Sequence, residues 1–100
     1  QEAEKLLREA LSWNENDVNV LKNLASILDR RHGRAESMEL RSRVIALDPA
    51  DEETSLSLAY QYYEEGMQSK AGRLIRLWRE LGGHARTWNR LEQLVNKGKH

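Results

Sequence analysis

Cysteine and phenylalanine are absent from this 100-residue chain, which contains one proline and six glycines. Without cysteine there are no disulfides, no thiolate nucleophiles and no cysteine-based zinc or iron–sulfur sites. The longest uninterrupted aliphatic stretch spans residues 44–47, far short of the roughly 18 residues that a membrane-spanning helix needs. The sequence therefore predicts that this segment does not insert into a membrane.

An excess of charge of either sign is also missing. Sixteen basic residues balance sixteen acidic ones, so no overall field attracts nucleic acid or anionic lipid. The basic residues that recur along 70–79 are interpreted as a solvated helix face. We expect no nucleic-acid partner, and any electrostatic recognition must be local.

A start methionine and a signal-peptide pattern are missing as well. Gln1 opens directly into a helical pattern, so we expect this segment to belong to a longer chain whose targeting signals lie elsewhere. The compartment is unknown from this sequence.

Leu, Ala, Glu, Arg and Lys dominate the segments between the glycines and the proline, and these residues favour helix. Apolar residues recur within each segment at helical spacing. Asp17 and Asp51 precede two of the segments, where a carboxylate can accept the first free backbone amides. The sequence predicts six helices, near 2–13, 18–31, 35–47, 52–65, 69–81 and 86–97.

The chain repeats itself at a fixed period. Leu24–Ala25 and Leu58–Ala59 stand at equivalent positions, and the same shift places Leu28 on Tyr62. Such a fixed period is typical of stacked helical hairpins, because one hairpin cannot bury its apolar stripe alone.

These residues resemble the tetratricopeptide repeat (TPR) family, whose unit is a 34-residue helix–turn–helix. The resemblance implies a single all-α domain in which antiparallel hairpins stack as a short right-handed α-solenoid of about six helices. Segments 18–51 and 52–85 correspond to full repeats, and 1–17 corresponds to the second helix of a truncated repeat. Residues 86–97 are expected to form a capping helix, and residues 98–100 a frayed terminus.

Several positions depart from the family pattern, among them Arg79, where a leucine is usual, and Gly82–Gly83, which replaces proline in the last loop. Ser37 and Arg41 stand where a small and an aromatic residue are usual, and Gly72 lies inside a predicted helix at a cost of about 1 kcal/mol relative to alanine. Trp78 replaces a small alanine that packs on the following hairpin. We therefore expect the last helix to dock differently from a regular repeat.

Catalytic groups do not converge anywhere in the sequence. His32, His84 and His100 are isolated and have no metal-ligand spacing. The acidic run 48–53 lacks the glycine and the ligand alternation of an EF-hand loop, and no phosphate-binding or nucleophile-elbow motif occurs. We expect a protein that is not an enzyme and that uses neither a metal nor a cofactor.

The resemblance implies that the first helices of successive repeats line a concave groove that binds peptides. The last helix is aligned with a shift of 33 residues instead of 34, because this shift matches Leu58 to Leu91 and keeps Glu92 out of the core. The same shift directs Arg86 and Arg90 to the groove. The predicted groove residues are Asn19, Lys22, Asn23, Ser26, Ser57, Tyr60, Tyr63, Arg86, Asn89 and Arg90.

One branch of the TPR family grips the C-terminal carboxylate of an acidic tail through a clamp of lysine, arginine and asparagine. Lys22, Arg86 and Arg90 match three clamp positions, whereas Ser26 and Ser57 replace the two asparagines. We expect a protein or peptide partner with an acidic segment or a free C-terminal carboxylate. The alternatives are a structural or oligomerisation segment of a longer helical-repeat protein, for which a homodimer is compatible with the sequence, and an accessory segment of an enzyme.

Overall fold

A computed structural model describes residues 2–97 of the chain, and this part is all-α. The six predicted helices are confirmed, and their ends differ from the predicted ones by at most one residue. The predicted frayed terminus, 98–100, lies outside the described residues. The helices are α1 (Glu2–Trp13), α2 (Val18–Arg30), α3 (Arg34–Leu47), α4 (Glu52–Glu64), α5 (Gln68–Leu81) and α6 (Ala85–Lys97).

The chain divides into two compact units, of which the first ends at Thr54 and the second begins at Ser55. In the first unit α1 packs on α2 and α2 on α3, and in the second α5 packs on α6. Helices that follow one another in the sequence thus pack together within each unit, as expected for helical hairpins with short connections.

The core of the first unit forms where one face of α2 meets α3. Leucines spaced three and four residues apart lie on that face, and Ala25 between them allows close approach of the helices. Leu7 and Leu11 of α1 pack against the same cluster. Its buried members are Leu21, Leu24, Ala25, Leu28, Leu40 and Val44.

The core of the second unit is built around two tryptophans. The indole rings of Trp78 on α5 and Trp88 on α6 stack with centroids 6.1 Å apart and planes within 6°. Leu91 and Val95 complete the buried face of α6, and Ala59 of α4 joins the same cluster. The large residue at 78 therefore docks α6 through an aromatic stack.

The turn between α2 and α3 reverses the chain within three residues. His32 adopts a left-handed backbone with φ of +64°, and the Gly33 amide donates to the Leu28 carbonyl over 2.7 Å. A Cβ at Gly33 would lie 3.0 Å from Leu28 Cδ2. A side chain at 33 would thus be in tight contact with Leu28, whereas at 32 a histidine occupies the conformation that usually selects glycine.

The turn between α4 and α5 repeats three backbone hydrogen bonds of the α2–α3 turn one repeat later. Gly66 is left-handed with φ of +76°, and the Met67 amide donates to the Tyr62 carbonyl over 2.7 Å. The two turns therefore have equivalent backbone geometry at the period read from the sequence.

Two aspartates cap helices as predicted. Asp17 Oδ1 accepts from the Val20 amide over 3.2 Å at the start of α2. Asp51 accepts twice from Thr54, over 3.0 Å from the amide and 2.9 Å from the hydroxyl, at the start of α4. Each cap satisfies an amide that the first helical turn leaves free.

Candidate peptide-binding surface

Helix α2 presents a polar stripe to solvent. Asn19, Asn23 and Ser26 follow one another at spacings of four and three residues, which places them on one side of the helix. All three are exposed, and within residues 2–97 none of their side chains has a hydrogen-bond partner. This face can therefore donate and accept hydrogen bonds without breaking existing ones.

Lys22, next to this stripe, is already paired. Its Nζ lies 2.8 Å from Asp51 Oδ2, whose side chain is only 8% exposed. The hydrogen bond to Asp51 raises the pKa of Lys22 above its usual value. A peptide carboxylate that reached Lys22 would compete with Asp51 for the ammonium, so the predicted contact is weakened at this residue.

The predicted residues of α4 are partly buried. Ser57, Tyr60 and Tyr63 each keep some exposure, and both tyrosine rings pack against the core of the second unit. Rings held in this way lose little conformational freedom when a ligand covers their exposed part.

Helix α6 has one buried and one polar face. Trp88 and Leu91 are fully buried, whereas Arg86, Asn89 and Arg90 are exposed. The three exposed residues follow the i, i+3, i+4 spacing of a single helix face. Within the described part of the chain, none of these three side chains forms a hydrogen bond or an ion pair.

The register of α6 agrees with the 33-residue shift. Glu92 lies outside the core with its side chain 33% exposed, and its carboxylate binds Arg79 over 2.6 Å. The neighbouring Leu91 takes the buried position instead. Arg90 is consequently on the outer side of α6.

The positions of Arg86 and Arg90 destabilise their own helix, α6, in two ways. They are one turn apart, and like charges at this spacing destabilise a helix by roughly 0.2–0.5 kcal/mol. Arg86 is also the second residue of α6, whose first turn contains no acidic residue, and cations at this end oppose the helix dipole. A bound anion would relieve both costs.

A partly buried polar network in the first unit was missed by sequence reasoning. Arg41 donates to Asp29 Oδ2 over 2.7 Å and to Ser37 Oγ over 3.0 Å, and Ser37 itself donates to Asp29. Burial raises the pKa of Asp29, but the bonds from Arg41 and Ser37 outweigh it, so the net direction is downward.

The signal for this network was present in the repeat. The residues 34 positions after Asp29, Ser37 and Arg41 are Tyr63, Ala71 and Ile75. The second unit places that apolar trio in and against its core. A change of all three positions from polar to apolar between two repeats is a pattern that could have identified the network.

A second ion-pair group joins the helices of the first unit. Arg8 of α1 binds Glu36 of α3 over 2.8 Å and Glu4 over 2.9 Å, and Arg31 reaches Glu4 over 2.9 Å. The bond from Arg8 lowers the pKa of Glu36. Nothing in the sequence pattern distinguishes these residues from other surface charges.

Among residues 2–97, no group of three or more histidine, aspartate or glutamate side chains is arranged to hold a metal ion. No helix in the same range combines the length and the apolar character needed to cross a membrane.

The structure thus places most of the predicted residues on the exposed faces of individual helices. It brings Asn19, Asn23 and Ser26 to one face of α2, and Arg86, Asn89 and Arg90 to one face of α6. Lys22 is paired with Asp51 instead.

No protein-family model matches the chain, and no curated protein sequence matches it either.

Proposed function

We propose that this chain is a non-catalytic protein interaction module of the tetratricopeptide type, which binds an extended peptide or a partner helix. The proposal includes stacking of its hairpins as a short right-handed solenoid. Its support is the equivalence of two hairpin turns one repeat apart, in which His32 and Gly66 share a left-handed backbone. The buried pairs Leu24–Ala25 and Leu58–Ala59 repeat at the same period.

The observation that carries the binding function is the outer face of α6. Arg86, Asn89 and Arg90 are exposed there and have no partner within residues 2–97. Two guanidinium groups and an amide within one helical turn supply N–H donors suited to a carboxylate, which arginine binds through two parallel hydrogen bonds.

The ligand we propose is an acidic peptide that ends in a free carboxylate. The carboxylate binds Arg86 and Arg90, and the peptide's apolar side chains pack on the exposed parts of Tyr60 and Tyr63. Tyrosine suits such a contact because it provides a rigid apolar ring and a polar tip at low entropic cost. The α2 stripe, Asn19, Asn23 and Ser26, offers further exposed hydrogen-bonding groups on the first unit.

The test compares two double variants in their affinity for a fluorescently labelled acidic peptide. R86Q/R90Q removes the two proposed carboxylate ligands, and R73Q/R76Q removes two arginines of α5 that are also exposed. We expect R86Q/R90Q to weaken binding at least about tenfold, and R73Q/R76Q to change it less than twofold. Equal affinities for wild type and R86Q/R90Q would contradict the proposal.

A further inference from the structure

Helix α1 carries a second apolar stripe that its own unit does not cover. Ala3, Leu6, Ala10 and Trp13 are spaced i, i+3, i+7 and i+10, which places them along one side of the helix. Leu6 is 56% exposed and Trp13 is 86% exposed. This α1 stripe is distinct from Leu7 and Leu11, which pack on the core of the first unit.

The equivalent stripe of α3 shows what kind of element packs on such a surface. Shifting the α1 stripe by one repeat gives Ser37, Leu40, Val44 and Leu47, the first three of which are buried. Leu40 and Val44 pack against the leucines of α2. The natural occupant of this kind of stripe is therefore another helix with an apolar face.

Helix α5 carries such a face. Leu74, Leu77 and Leu81 are spaced i, i+3 and i+7, and Leu77 and Leu81 are 45% and 60% exposed. The described residues contain two further exposed large hydrophobic side chains, Leu47 at the end of α3 and Met67 just before α5. Among helix faces in residues 2–97, α1 and α5 thus each carry two strongly exposed large apolar residues.

The charges beside the two stripes are complementary. Glu2 and Glu9 each lie one turn before a large residue of the α1 stripe, at Leu6 and Trp13, and neither carboxylate has a partner within residues 2–97. Lys70 and Arg73 lie one turn before Leu74 and Leu77 of α5. Arg73 has no partner in the same range, and Lys70 lies over the Tyr62 ring.

The whole units show the same asymmetry. The first unit contains twelve acidic and eight basic residues, and the second contains four acidic and eight basic, so their formal net charges are −4 and +4. Two copies that met through the same unit would bring like charges together. Contact between the first unit of one copy and the second unit of another brings opposite charges together.

We propose that this chain associates head to tail with a second copy of itself, with the α1 stripe of one copy packed on the α5 stripe of the next. Burial of Leu6, Trp13, Leu77 and Leu81 drives the contact, and the flanking charges select this pairing over a symmetric one. The contact uses different surfaces on the two copies, so each copy offers two binding surfaces and assembly either closes as a ring or continues as a chain. It is independent of the peptide-binding face of α6.

The experiment is sedimentation of the 100-residue chain from about 10 to 500 µM, with two complementary variants. L6Q/W13Q removes the α1 stripe and L77Q/L81Q removes the α5 stripe. Since all four side chains are exposed, the fold should be retained, which circular dichroism checks. L47Q/M67Q removes the two other exposed apolar residues and is the matched control.

We expect the wild type and the control to increase in mass with concentration, and each stripe variant to associate at least about tenfold more weakly. An equimolar mixture of the two stripe variants should form a dimer that grows no further, since it contains one intact pair of stripes. High salt should weaken both assemblies. A wild type that stays monomeric, or a mixture that stays monomeric, would overturn the proposal. So would a stripe variant that associates like the control.

Discussion

Two glycines in the helical hairpins differ in how much space an added side chain would have. Gly72 lies inside α5, where an added Cβ would meet one flexible atom, Arg76 Nη1, at an ordinary 3.6 Å. Gly33, in contrast, lies against Leu28, whose Cδ2 and Cβ would be 3.0 and 3.1 Å from an added Cβ. The two glycines therefore have opposite consequences for stability.

Gly72→Ala should raise the free energy of unfolding by about 1 kcal/mol, because alanine restricts the unfolded chain and favours helix. Gly33→Ala should lower it, since Leu28 would have to move. Chemical denaturation of both variants measures the two effects. A Gly72→Ala variant less stable than the wild type would show that position 72 needs glycine for a reason other than space.

The Lys22–Asp51 pair makes stability depend on pH. Burial raises the pKa of Asp51, but the bonds from Lys22 and Thr54 outweigh it, so the pKa lies below its ordinary value of 3.8. A carboxylate with a lowered folded pKa stabilises the fold above its unfolded pKa, and this contribution is lost as the pH falls through the folded pKa.

Asp51→Asn should therefore lose less stability than the wild type between pH 7 and pH 3, because asparagine keeps the helix cap but has no proton to gain. Urea denaturation at the two pH values measures the difference. The matched control is Asp17→Asn, since Asp17 caps α2 and forms no ion pair within residues 2–97. The same loss in Asp51→Asn and in the wild type would contradict this account of the pair.

At the scale of helices, the same hairpin is closed by polar contacts in one unit and by apolar ones in the other. Arg41 is 11% exposed and binds Asp29 and Ser37, whereas Ala71 and Ile75 are buried in the second unit. A mostly buried arginine needs its partners, while the apolar trio of the second unit needs none.

Asp29→Ala alone should destabilise the chain by about 2 kcal/mol, because it leaves the Arg41 guanidinium without its carboxylate. The triple change Asp29→Tyr, Ser37→Ala and Arg41→Ile installs the trio of the second unit and should stay within about 1 kcal/mol of the wild type or exceed it. Thermal and urea unfolding of both variants test this. A triple variant less stable than Asp29→Ala would show that the two hairpins are not equivalent.

Helix positions and buried faces were predictable because they depend on local spacing. Helical spacing predicts that Trp88, Leu91, Leu94 and Val95 lie inside; Trp88, Leu91 and Val95 are buried, whereas Leu94 is only partly buried. The stack of Trp78 on Trp88 was not predictable in detail, since the sequence shows only that Trp78 is too large for a regular repeat. Its geometry depends on how α5 and α6 pack.

The candidate surface was predictable only in part, for a related reason. Helical spacing predicted the exposed residues of α2 and α6, because exposure follows from the position of the apolar stripe. The pairing of Lys22 with Asp51 joins two elements through one long side chain. Such a contact depends on rotamers and leaves no periodic signal in the sequence.

At the scale of the whole molecule, a net charge of zero conceals two units of opposite sign. The absence of an overall field argued against nucleic acid and left electrostatic recognition to local patches. The unpaired arginines of α6 are such a patch, and so are the charges that flank the stripes of α1 and α5. The first patch suits a carboxylate, and the second suits another copy of the chain.

The central claim is that the chain binds a peptide carboxylate through α6. Its most direct test is an amide-resolved NMR titration of dilute protein with two acidic peptides of the same sequence, one with a free C-terminus and one amidated. We expect saturable shifts at Arg86, Asn89 and Arg90 that weaken on amidation. Shifts confined to other residues, no shifts, or equal shifts with both peptides would contradict the claim.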